Sequence, residues 1–381
     1  MKRNGKKIIR AVTVSESIEF FDKMIPDMQQ RGYAIVAVSS PGPEMEALKM
    51  KHISAIEVPM ERHISIFSDI KSLYLLIKVF SKEKPFMVHS MTPKAGLLCM
   101  LAAWITRVPR RVHTFTGLVW PIAAGLTRKI LMATDWITCA CATHVIPEGQ
   151  GVMNDLHNHI TKKPMKVLGY GNVRGVDMSR FSRRPELISI SNSIKDPDVF
   201  TFIFVGRIVR DKGMDELMEA FSSLVNDNKN VRLFLVGNYE QDLDPVSELT
   251  IERIKSIPQI QAVGPKYGDE LLAYYAASDC FVFPSYREGF PNTVMEAGAM
   301  GLPSIVTDIN GSREIIKNGE NGVIIPSKDS KALYNAMRKM IEDREACTNM
   351  ATNARPMIES RFEQGYVRSC LLDFYDEIMS N

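Results

Sequence analysis

Two glutamates separated by seven residues lie in one loop-to-helix segment of the second half of the chain. Cys280–Phe283 is an apolar run typical of a buried strand, residues 284–292 form a polar loop, and residues 293–300 have helical spacing. Glu288 then falls in the loop and Glu296 in the first turn of the helix. Carboxylates at these positions accept hydrogen bonds from hydroxyl groups, as on sugar or ribose rings, while the free amides of the helix start favour an anion.

A purely structural role is the alternative for this segment. Thr293 and Glu296 match a capping box, and Glu288 fits equally well as a solvated charge in a loop. The functional interpretation gains from Gly289, which allows close backbone approach to a ligand.

A second candidate site follows the predicted strand 201–206, in the string RIVRDKG. Lys212 is predicted to lie at the amino end of a helix over 214–224, where a cation is disfavoured by roughly 0.3–1 kcal/mol. An anion bound between Arg207, Lys212 and the helix end would remove this conflict, whereas the alternative is two exposed basic residues. A Walker-type phosphate loop is excluded for this stretch because it contains no G-x4-G-K-[ST] string.

The elements that must position these residues alternate between strand and helix along the whole chain. This alternation predicts an α/β protein built of doubly wound parallel sheets. In the first half the predicted strands are 7–14, 33–39, 53–58, 86–90, 111–117 and 136–145, and the predicted helices are 18–31, 43–50 and 65–81.

Three polar residues of the first half follow predicted strands and are candidates for an acceptor site. Ser15 lies in the first strand-to-helix turn, Lys94 at the start of a helix that Thr92 can cap, and Thr116 in the loop after RVHTF. His113 is predicted to be a core histidine by strand alternation. Residues 118–131, apolar with a basic edge, are the best candidate for membrane or lipid contact.

Composition limits the remaining classes. Residues 1–184 carry a net charge of +13 and residues 185–381 of −10, so the first half is expected to meet an anionic partner such as a membrane surface or a phosphorylated acceptor. No nucleic acid partner is expected because no such motif occurs. The six cysteines show no metal-binding spacing, which favours a reduced, cytoplasmic setting without structural zinc. No apolar run reaches the ~18–20 residues of a membrane span.

The glutamate pair, with GFPN between and EAGAMGLP after, resembles the E-x7-E motif of glycosyltransferase family 4, which has the GT-B fold. RIVRDKG, with the preceding glycine, resembles the family's G-R-x4-K-G, and GNVRGVD an interrupted N-G-V-D at the domain junction. Family members commonly have a glycine pair at positions 15–17 and a histidine at position 116, which this chain lacks. The resemblance implies a donor site comprising Gly206, Arg207, Lys212, Val263, Lys266, Glu288, Gly289, Phe290, Pro291, Asn292, Thr293 and Glu296, with Glu288, Arg207 and Lys212 also catalytic.

The resemblance further implies the reaction. It predicts transfer of a sugar, with retention of configuration and without metal or other cofactor, from a nucleotide diphosphate, by preference a UDP-linked N-acetylhexosamine or deoxy relative. The string HSMTPKAG resembles a segment of bacterial members that build surface polysaccharides, so the expected acceptor is a polyprenyl-diphosphate-linked saccharide in capsule, O-antigen or exopolysaccharide assembly. The protein is then expected to lie peripherally on the inner face of the cytoplasmic membrane.

The alternatives are a non-catalytic sugar-nucleotide-binding subunit and a glycosyltransferase with a soluble acceptor. A nicotinamide-dependent oxidoreductase is disfavoured because no G-x-G-x-x-G follows a strand. The resemblance and the pattern together predict two Rossmann-like domains facing a cleft. The predicted acceptor domain covers residues 1–184, the linker 185–200, the nucleotide-sugar domain 201–360, and a final helix over 361–381 crosses back to the first domain.

Overall fold

The computed structural model describes residues 6–63, 65–227, 230–240 and 244–380. The chain forms two compact units. The boundaries between them fall between Arg174 and Gly175 and between Gln364 and Gly365, so the first unit contains both ends of the chain.

Among its described residues, the first unit has six strands and six helices before the chain leaves it. Its strands are β1 Lys7–Ala11, β2 Ala34–Ser39, β3 Ser54–Glu57, β4 Met87–Met91, β5 Arg110–Phe115 and β6 His144–Pro147. Its helices are α1 Ile25–Gln30, α2 Pro43–Met50, α3 Ile66–Glu83, α4 Pro93–Ile105, α5 Gly125–Cys141 and α6 Gln150–His159, with short 3₁₀ turns at Ser15–Phe20, Asp22–Met24 and Trp120–Ile122.

The six strands form one parallel sheet in the order β3-β2-β1-β4-β5-β6. The strand order reverses between β1 and β4. In an open sheet of this kind the crevice for a ligand lies outside the carboxyl ends of the strands at the reversal. In this unit that position is occupied by residues that follow Ala11 and Met91.

The second unit repeats the plan. Its strands are β7 Phe200–Val205, β8 Val231–Val236, β9 Ile260–Gly264, β10 Cys280–Phe283, β11 Ser304–Thr307 and β12 Gly322–Ile325. Its helices are α7 Pro185–Asn192, α8 Met214–Asn226, α9 Glu248–Ser256, α10 Gly268–Ala276, α11 Asn292–Ala299, α12 Ser312–Ile315, α13 Ser330–Glu342 and α14 Arg344–Phe362, with a 3₁₀ turn at Arg210–Lys212.

Its parallel sheet has the order β12-β11-β10-β7-β8-β9, so the order reverses between β10 and β7. These two strands are the most apolar part of the unit, and every residue of both is buried. Strands covered by helices on both faces read as continuous apolar runs rather than as alternating ones. The two candidate sequence motifs follow these two adjacent strands, which brings them to one edge of the sheet.

The last helix, α15 Gln364–Ser380, belongs almost entirely to the first unit. Side chains of β1 alternate between the two faces of their sheet: Ile9 packs in the core under α3 to α5, and Ile8 packs in the core that α15 completes. The fully buried Arg10 lies on the α15 face, where its Nη1 donates to the Tyr375 hydroxyl at 2.9 Å. The C-terminal helix therefore closes one face of the first sheet.

Three local predictions differ from the structure. The helix predicted over 18–31 is replaced by two 3₁₀ turns and α1, because Pro26 cannot donate to a preceding helical turn and favours a helix start. The strand predicted over 136–145 is wrong for residues 136–141, which belong to α5, and only its last two residues lie in a strand, β6; short apolar runs fit either structure. Residues 185–192 of the predicted linker form α7 in the second unit, and the chain crosses between units within GNVRGVD.

Candidate functional site

Three neighbouring strands of the second unit end in glycines that pack against one another. Gly206, Gly237 and Gly264 follow or end β7, β8 and β9, and the Gly237 amide donates to the Gly264 carbonyl at 3.1 Å. A β-carbon on Gly237 would lie 1.9 Å from the Gly206 carbonyl oxygen. Only glycine at position 237 permits this close approach to the backbone of Gly206, the residue that precedes Arg207.

Lys212 and Glu288, predicted separately from the two motifs, form an ion pair. Their side chains are only 13% and 17% exposed, and the Ser285 hydroxyl also donates to Glu288, at 2.9 Å. Glu288 is thus not a solvated loop charge, and Lys212 is not a free surface cation. In the absence of a ligand, Glu288 supplies the negative charge that Lys212 requires next to the start of α8.

Close backbone packing brings the two motifs together. Gly213 adopts a left-handed conformation with φ of 71°, and a β-carbon there would lie 2.1 Å from the carbonyl oxygen of Pro284. The Tyr286 amide donates to the Asp211 carbonyl at 2.8 Å, and Arg287 pairs with the Asp211 carboxylate at 3.2 Å. The loop after β7 and the loop after β10 therefore form a single structural unit.

The Tyr286 side chain anchors the loop from its other side. Its hydroxyl lies 2.8 and 2.6 Å from the two carboxylate oxygens of Glu216 on α8. Burial, followed by this hydrogen bond, raises the pKa of the Tyr286 hydroxyl. It therefore remains a neutral donor over the pH range in which enzymes work.

Arg207 lies nearby with a different partner. Its Nη1 donates to the Glu240 carboxylate at 2.8 Å, and its side chain is 47% exposed. Arg207 and Lys212 are thus both paired with carboxylates, one at the surface and one nearly buried. An incoming diphosphate would compete with Glu240 and Glu288 for these two cations.

Helix α11 begins at Asn292, one residue earlier than predicted, and no side chain in the described part of the chain caps it. The capping box of Thr293 and Glu296 does not form, and Glu296 lies in the second turn rather than the first. The helix start is held by backbone packing instead, because a β-carbon on Gly311 would lie 2.7 Å from the Phe290 α-carbon. A helix start favours an anion near its first amides.

Tyr275 of α10 lies behind Glu296. The Tyr275 side chain is fully buried, and burial, followed by the charge of the Glu296 carboxylate, raises the pKa of its hydroxyl. Glu296 itself is partly exposed. A buried neutral hydroxyl next to this carboxylate restricts where the glutamate can move.

Two residues of the predicted donor site are less tightly integrated. Val263 is half-buried in β9, and Lys266 pairs with Glu270 of α10. Neither contacts Arg207, Lys212 or Glu288 in any interaction that the structure describes. Their position next to the Gly264 turn is compatible with a ligand at the edge of the sheet.

The three acceptor-side candidates of the first unit separate into two groups. Lys94 and Thr116 line a cavity of about 460 Å³ at the carboxyl ends of β1, β4 and β5. Ser15 lies outside this lining, and its buried hydroxyl donates to Glu44 at 2.5 Å. A β-carbon on Gly42 would lie 1.9 Å from the Ser15 hydroxyl oxygen, so Ser15 fixes the position of α2.

The start of α4, beside the cavity, is capped by a residue from another strand. Thr92 occupies the cap position, but its hydroxyl instead accepts from the Thr13 amide at 3.0 Å, and the Thr13 hydroxyl accepts from the Ala95 amide at 3.1 Å. The prediction that Thr92 caps the helix is therefore wrong. Thr13, which follows β1, performs this role and joins the two strands of the reversal.

His113 has no exposed surface for a catalytic role. It is 1% exposed, its Nδ1 lies 2.9 Å from the Ser90 hydroxyl, and its ring packs edge-on against Phe115. Burial lowers the pKa of His113 to about 3. It is a neutral core histidine, as strand alternation predicted.

Four site residues were not predicted: Asp211, Gly237, Glu240 and Gly311. The sequence holds a signal for the glycine after β8, since VGN follows an apolar strand as VGR follows β7. It holds none for Gly311, whose contact with Phe290 joins residues far apart in the chain. Among the described residues, no cluster of histidine, cysteine and carboxylate side chains suits a metal ion, and no helix is long and apolar enough to cross a membrane.

Two protein-family models match this chain. The family model "Glycosyl transferase 4-like" matches residues 13–134, and the model "Glycosyl transferases group 1" matches residues 188–357. The first match ends within the first unit, and the second covers both motifs of the second unit. The fold and the site thus define a glycosyltransferase.

The capsular polysaccharide biosynthesis glycosyltransferase CapM of Staphylococcus aureus is 32% identical to this chain over 379 residues, which cover 98% of each protein. The Escherichia coli UDP-Gal:alpha-D-GlcNAc-diphosphoundecaprenol alpha-1,3-galactosyltransferase is 27% identical over 84% of this chain and 82% of that protein. The chain therefore belongs to the glycosyltransferase family whose members match the models "Glycosyl transferase 4-like" and "Glycosyl transferases group 1".

A solved structure supports the fold. Anabaena Alr3699/HepE, crystallised with UDP and glucose, matches 98% of this chain and 100% of its own with a TM-score of 0.80 at 17% identity. Together with two six-stranded parallel sheets, this assigns two Rossmann-like domains and the GT-B fold.

Proposed function

We propose that this chain transfers a sugar from a UDP-linked donor to a polyprenyl-diphosphate-linked saccharide during bacterial surface polysaccharide assembly. The observation that carries the proposal is the cluster of Arg207, Lys212 and Glu288 at the strand reversal of the second unit. Two cations there are held by carboxylates that a donor diphosphate can replace. The name of the E. coli relative supports the acceptor class, and the name of the S. aureus relative supports a role in surface polysaccharide assembly.

The proposed chemistry follows from the charges of the cluster. The bond between the anomeric carbon and the diphosphate oxygen breaks, and the acceptor hydroxyl oxygen bonds to that carbon on the same face, so that configuration is retained. The hydroxyl proton passes to the departing diphosphate. Arg207, Lys212 and the first amides of α11 stabilise the negative charge that develops on that leaving group, without a metal ion.

Glu288 and Glu296 have separate proposed roles. When the diphosphate takes Lys212, Glu288 is released and accepts hydrogen bonds from the transferred sugar. Glu296, limited by the buried Tyr275 hydroxyl, accepts from the ribose. Gly289 to Asn292 provide the backbone along which the sugar and phosphates lie, and Val263 and Lys266 border the base. An N-acetylhexosamine or its deoxy relative is the proposed sugar.

Thermal unfolding with UDP, GDP, ADP and dTDP sugars tests the donor site. A ligand at about one hundred times its dissociation constant adds roughly 2.7 kcal/mol to the free energy of unfolding. We expect a shift with UDP sugars alone and its loss in Arg207→Ala. A shift with another nucleotide would overturn the choice of UDP, and no shift with any nucleotide sugar would overturn the donor site.

Glu288→Gln then separates an enzyme from a nucleotide-binding subunit. The variant keeps the shape of the side chain and removes the charge that competes with a diphosphate for Lys212. We expect nucleotide binding to be kept or strengthened while transfer to a lipid-linked saccharide is lost. If the wild-type protein binds UDP sugars but transfers to no acceptor, the catalytic role is wrong.

The proposal that the protein binds a membrane surface is based on exposed apolar side chains of the first unit. Ile66, Phe67 and Ile70 of α3 and Leu126 of α5 are each more than 60% exposed. The proposed location is the inner face of the cytoplasmic membrane, bound peripherally. Co-sedimentation with anionic vesicles at low salt checks this, and a protein that stays entirely in the supernatant contradicts it.

A further inference from the structure

Apolar and polar residues both line the cavity of the first unit, and apolar atoms contribute most of its exposed surface. It lies at the strand reversal, outside the carboxyl ends of β1 and β4, and has a volume of about 460 Å³. Six of the apolar side chains that line it come from the turn after β1, from α4 and from α5: Val14, Phe20, Leu97, Leu98, Ile130 and Leu131. The hydroxyl groups of the lining, among them Thr116 and Thr134, contribute less of the exposed surface than these apolar groups do, whereas a free sugar needs hydrogen-bonding partners on most of its surface.

The rim of the cavity is charged. Lys94 lies there with its side chain 11% exposed and its Nζ 2.7 Å from the Asp69 carboxylate. Arg62, 65% exposed, also lines the cavity and lies 3.9 Å from Glu16. Each cation has a carboxylate neighbour that an anion with more charge can replace, as in the donor site of the second unit.

Exposed apolar side chains continue outward from the cavity. Ile66 is 69% exposed and lies three residues before Asp69 of the rim on α3, a spacing that places both residues on one face of the helix. Ile130, on α5, is 42% exposed and forms part of the cavity wall itself. A ligand that entered the cavity would thus leave it along a further apolar surface rather than into open water.

We infer that this cavity binds the first isoprene units of a polyprenyl diphosphate, with the diphosphate at Lys94 and Arg62 and the rest of the chain along the exposed apolar side chains. A cavity of about 150 Å³ holds one benzene molecule. The volume here therefore has room for about three five-carbon isoprene units. This inference rests on the proposed function, since it specifies which part of the acceptor the first unit recognises.

Direct binding tests the inference without any transfer reaction. Calorimetry compares farnesyl diphosphate, farnesol and inorganic diphosphate. We expect farnesyl diphosphate to bind about a hundredfold more tightly than inorganic diphosphate, because several apolar groups leave water. Equal affinity of these two ligands would overturn the inference.

Two variants fill the cavity from two different helices. Leu97→Trp, on α4, and Ile130→Trp, on α5, are each expected to weaken farnesyl diphosphate binding by about tenfold or more, since the added ring occupies the site. Met50→Trp is the matched control, because Met50 is 76% exposed at the end of α2 and outside the lining. Ile130 is partly exposed, so its variant remains foldable if Leu97→Trp is not. Unchanged binding in a folded filling variant contradicts the inference.

Two further binding measurements test which part of the ligand the cavity recognises. Lys94→Met should lower the affinity for farnesyl diphosphate toward that for farnesol and leave farnesol unchanged. A single-chain phosphocholine with a straight acyl chain should bind at least about tenfold more weakly than farnesyl diphosphate, because it lacks the second phosphate charge. Equal binding of both lipids would show an acyl-chain site and overturn the isoprenoid assignment.

A transfer assay separates this inference from the proposed function. Acceptors that share a sugar diphosphate are made with either an ethyl or a farnesyl group. Transfer to both, with equal KM values and no binding of farnesyl diphosphate, would leave a glycosyltransferase and reject the lipid cavity. Tight, Leu97-dependent binding of farnesyl diphosphate without transfer to either acceptor would retain the cavity and reject the proposed function.

Discussion

The two strand reversals of this molecule share a plan and differ in their surroundings. In each, a lysine lies at the start of the helix that follows one of the reversal strands, Lys94 after β4 and Lys212 after β7, and each pairs with a carboxylate. In the second unit the neighbours are ion pairs, glycines and backbone amides. In the first they are apolar side chains around a cavity. The same topology thus surrounds a polar cluster in one unit and a mainly apolar cavity in the other, and our proposals assign a nucleotide sugar to the first and a lipid to the second.

The largest expected effect concerns charge at the second reversal. Lys212→Met should lower kcat/KM for transfer by about 10²–10³-fold, because a preorganised group that stabilises the leaving diphosphate is lost. Steady-state kinetics with a UDP sugar measures this. Arg210→Ala is the control, since Arg210 is 64% exposed and pairs with Asp244. An equal loss in both variants would indicate a general effect of positive charge.

The next largest effect is expected at the contact between Gly237 and Gly206 in the second unit. Gly237→Ala should lower the free energy of unfolding by about 2–4 kcal/mol, because its β-carbon would lie 1.9 Å from the Gly206 carbonyl oxygen. Gly301→Ala, at a φ of 79° with no atom within 4 Å of the new β-carbon, isolates backbone strain alone. Chemical denaturation of both variants distinguishes steric overlap from backbone strain. Equal losses in the free energy of unfolding would show that steric overlap at Gly237 adds nothing.

The first reversal depends on α15 behind it. Tyr375→Phe should lower the free energy of unfolding by about 1–3 kcal/mol, since the fully buried Arg10 guanidinium loses the hydroxyl that accepts from it. Tyr267→Phe, at a 74% exposed position, should change it by less than about 0.5 kcal/mol. If urea denaturation gives the same value for both variants, the Arg10 contact does not stabilise the unit.

Behind the cavity wall, Asp135 of α5 provides a pH test. Burial raises the pKa of the Asp135 carboxyl to about 7 from its ordinary value of 3.8. Between these values the native state binds more protons than the unfolded chain, so stability falls as pH rises from about 4 to 7. We expect Asp135→Asn to reduce this fall in thermal unfolding at pH 5 and 8. The exposed Glu61→Gln should retain the wild-type slope, and an unchanged slope in Asp135→Asn would contradict the raised pKa.

The smallest effect is expected at the surface of the second site. Glu240→Gln should strengthen UDP binding by about two- to fivefold, because a surface ion pair is worth about 0.2–1 kcal/mol and its loss frees Arg207. Glu248→Gln, another exposed carboxylate, should leave the affinity unchanged. Calorimetry at low salt measures both. Weaker UDP binding in Glu240→Gln would mean that Glu240 assists the donor instead of competing with it.

Much of the plan of the second unit could be predicted from local patterns. Buried parallel strands read as apolar runs, so β7 and β10 were recognised with their following loops. Adjacent strands of one sheet place their following loops together, and the pairing of Lys212 with Glu288 follows from that topology. The first unit was harder: 136–141 is helical, and residues 15–24 form short 3₁₀ turns, because short apolar or proline-containing stretches fit several local structures.

The sequence by itself determined the alternation of strand and helix, the two motifs and the core position of His113, since these depend on spacing along one segment. Only the tertiary structure decided that Thr13 caps α4, that Gly311 supports Phe290 and that Lys94 lies on a cavity with an apolar wall. Each of these contacts joins residues distant in the chain. A close approach between distant segments is set by how whole elements pack, and no local pattern of residue types encodes it.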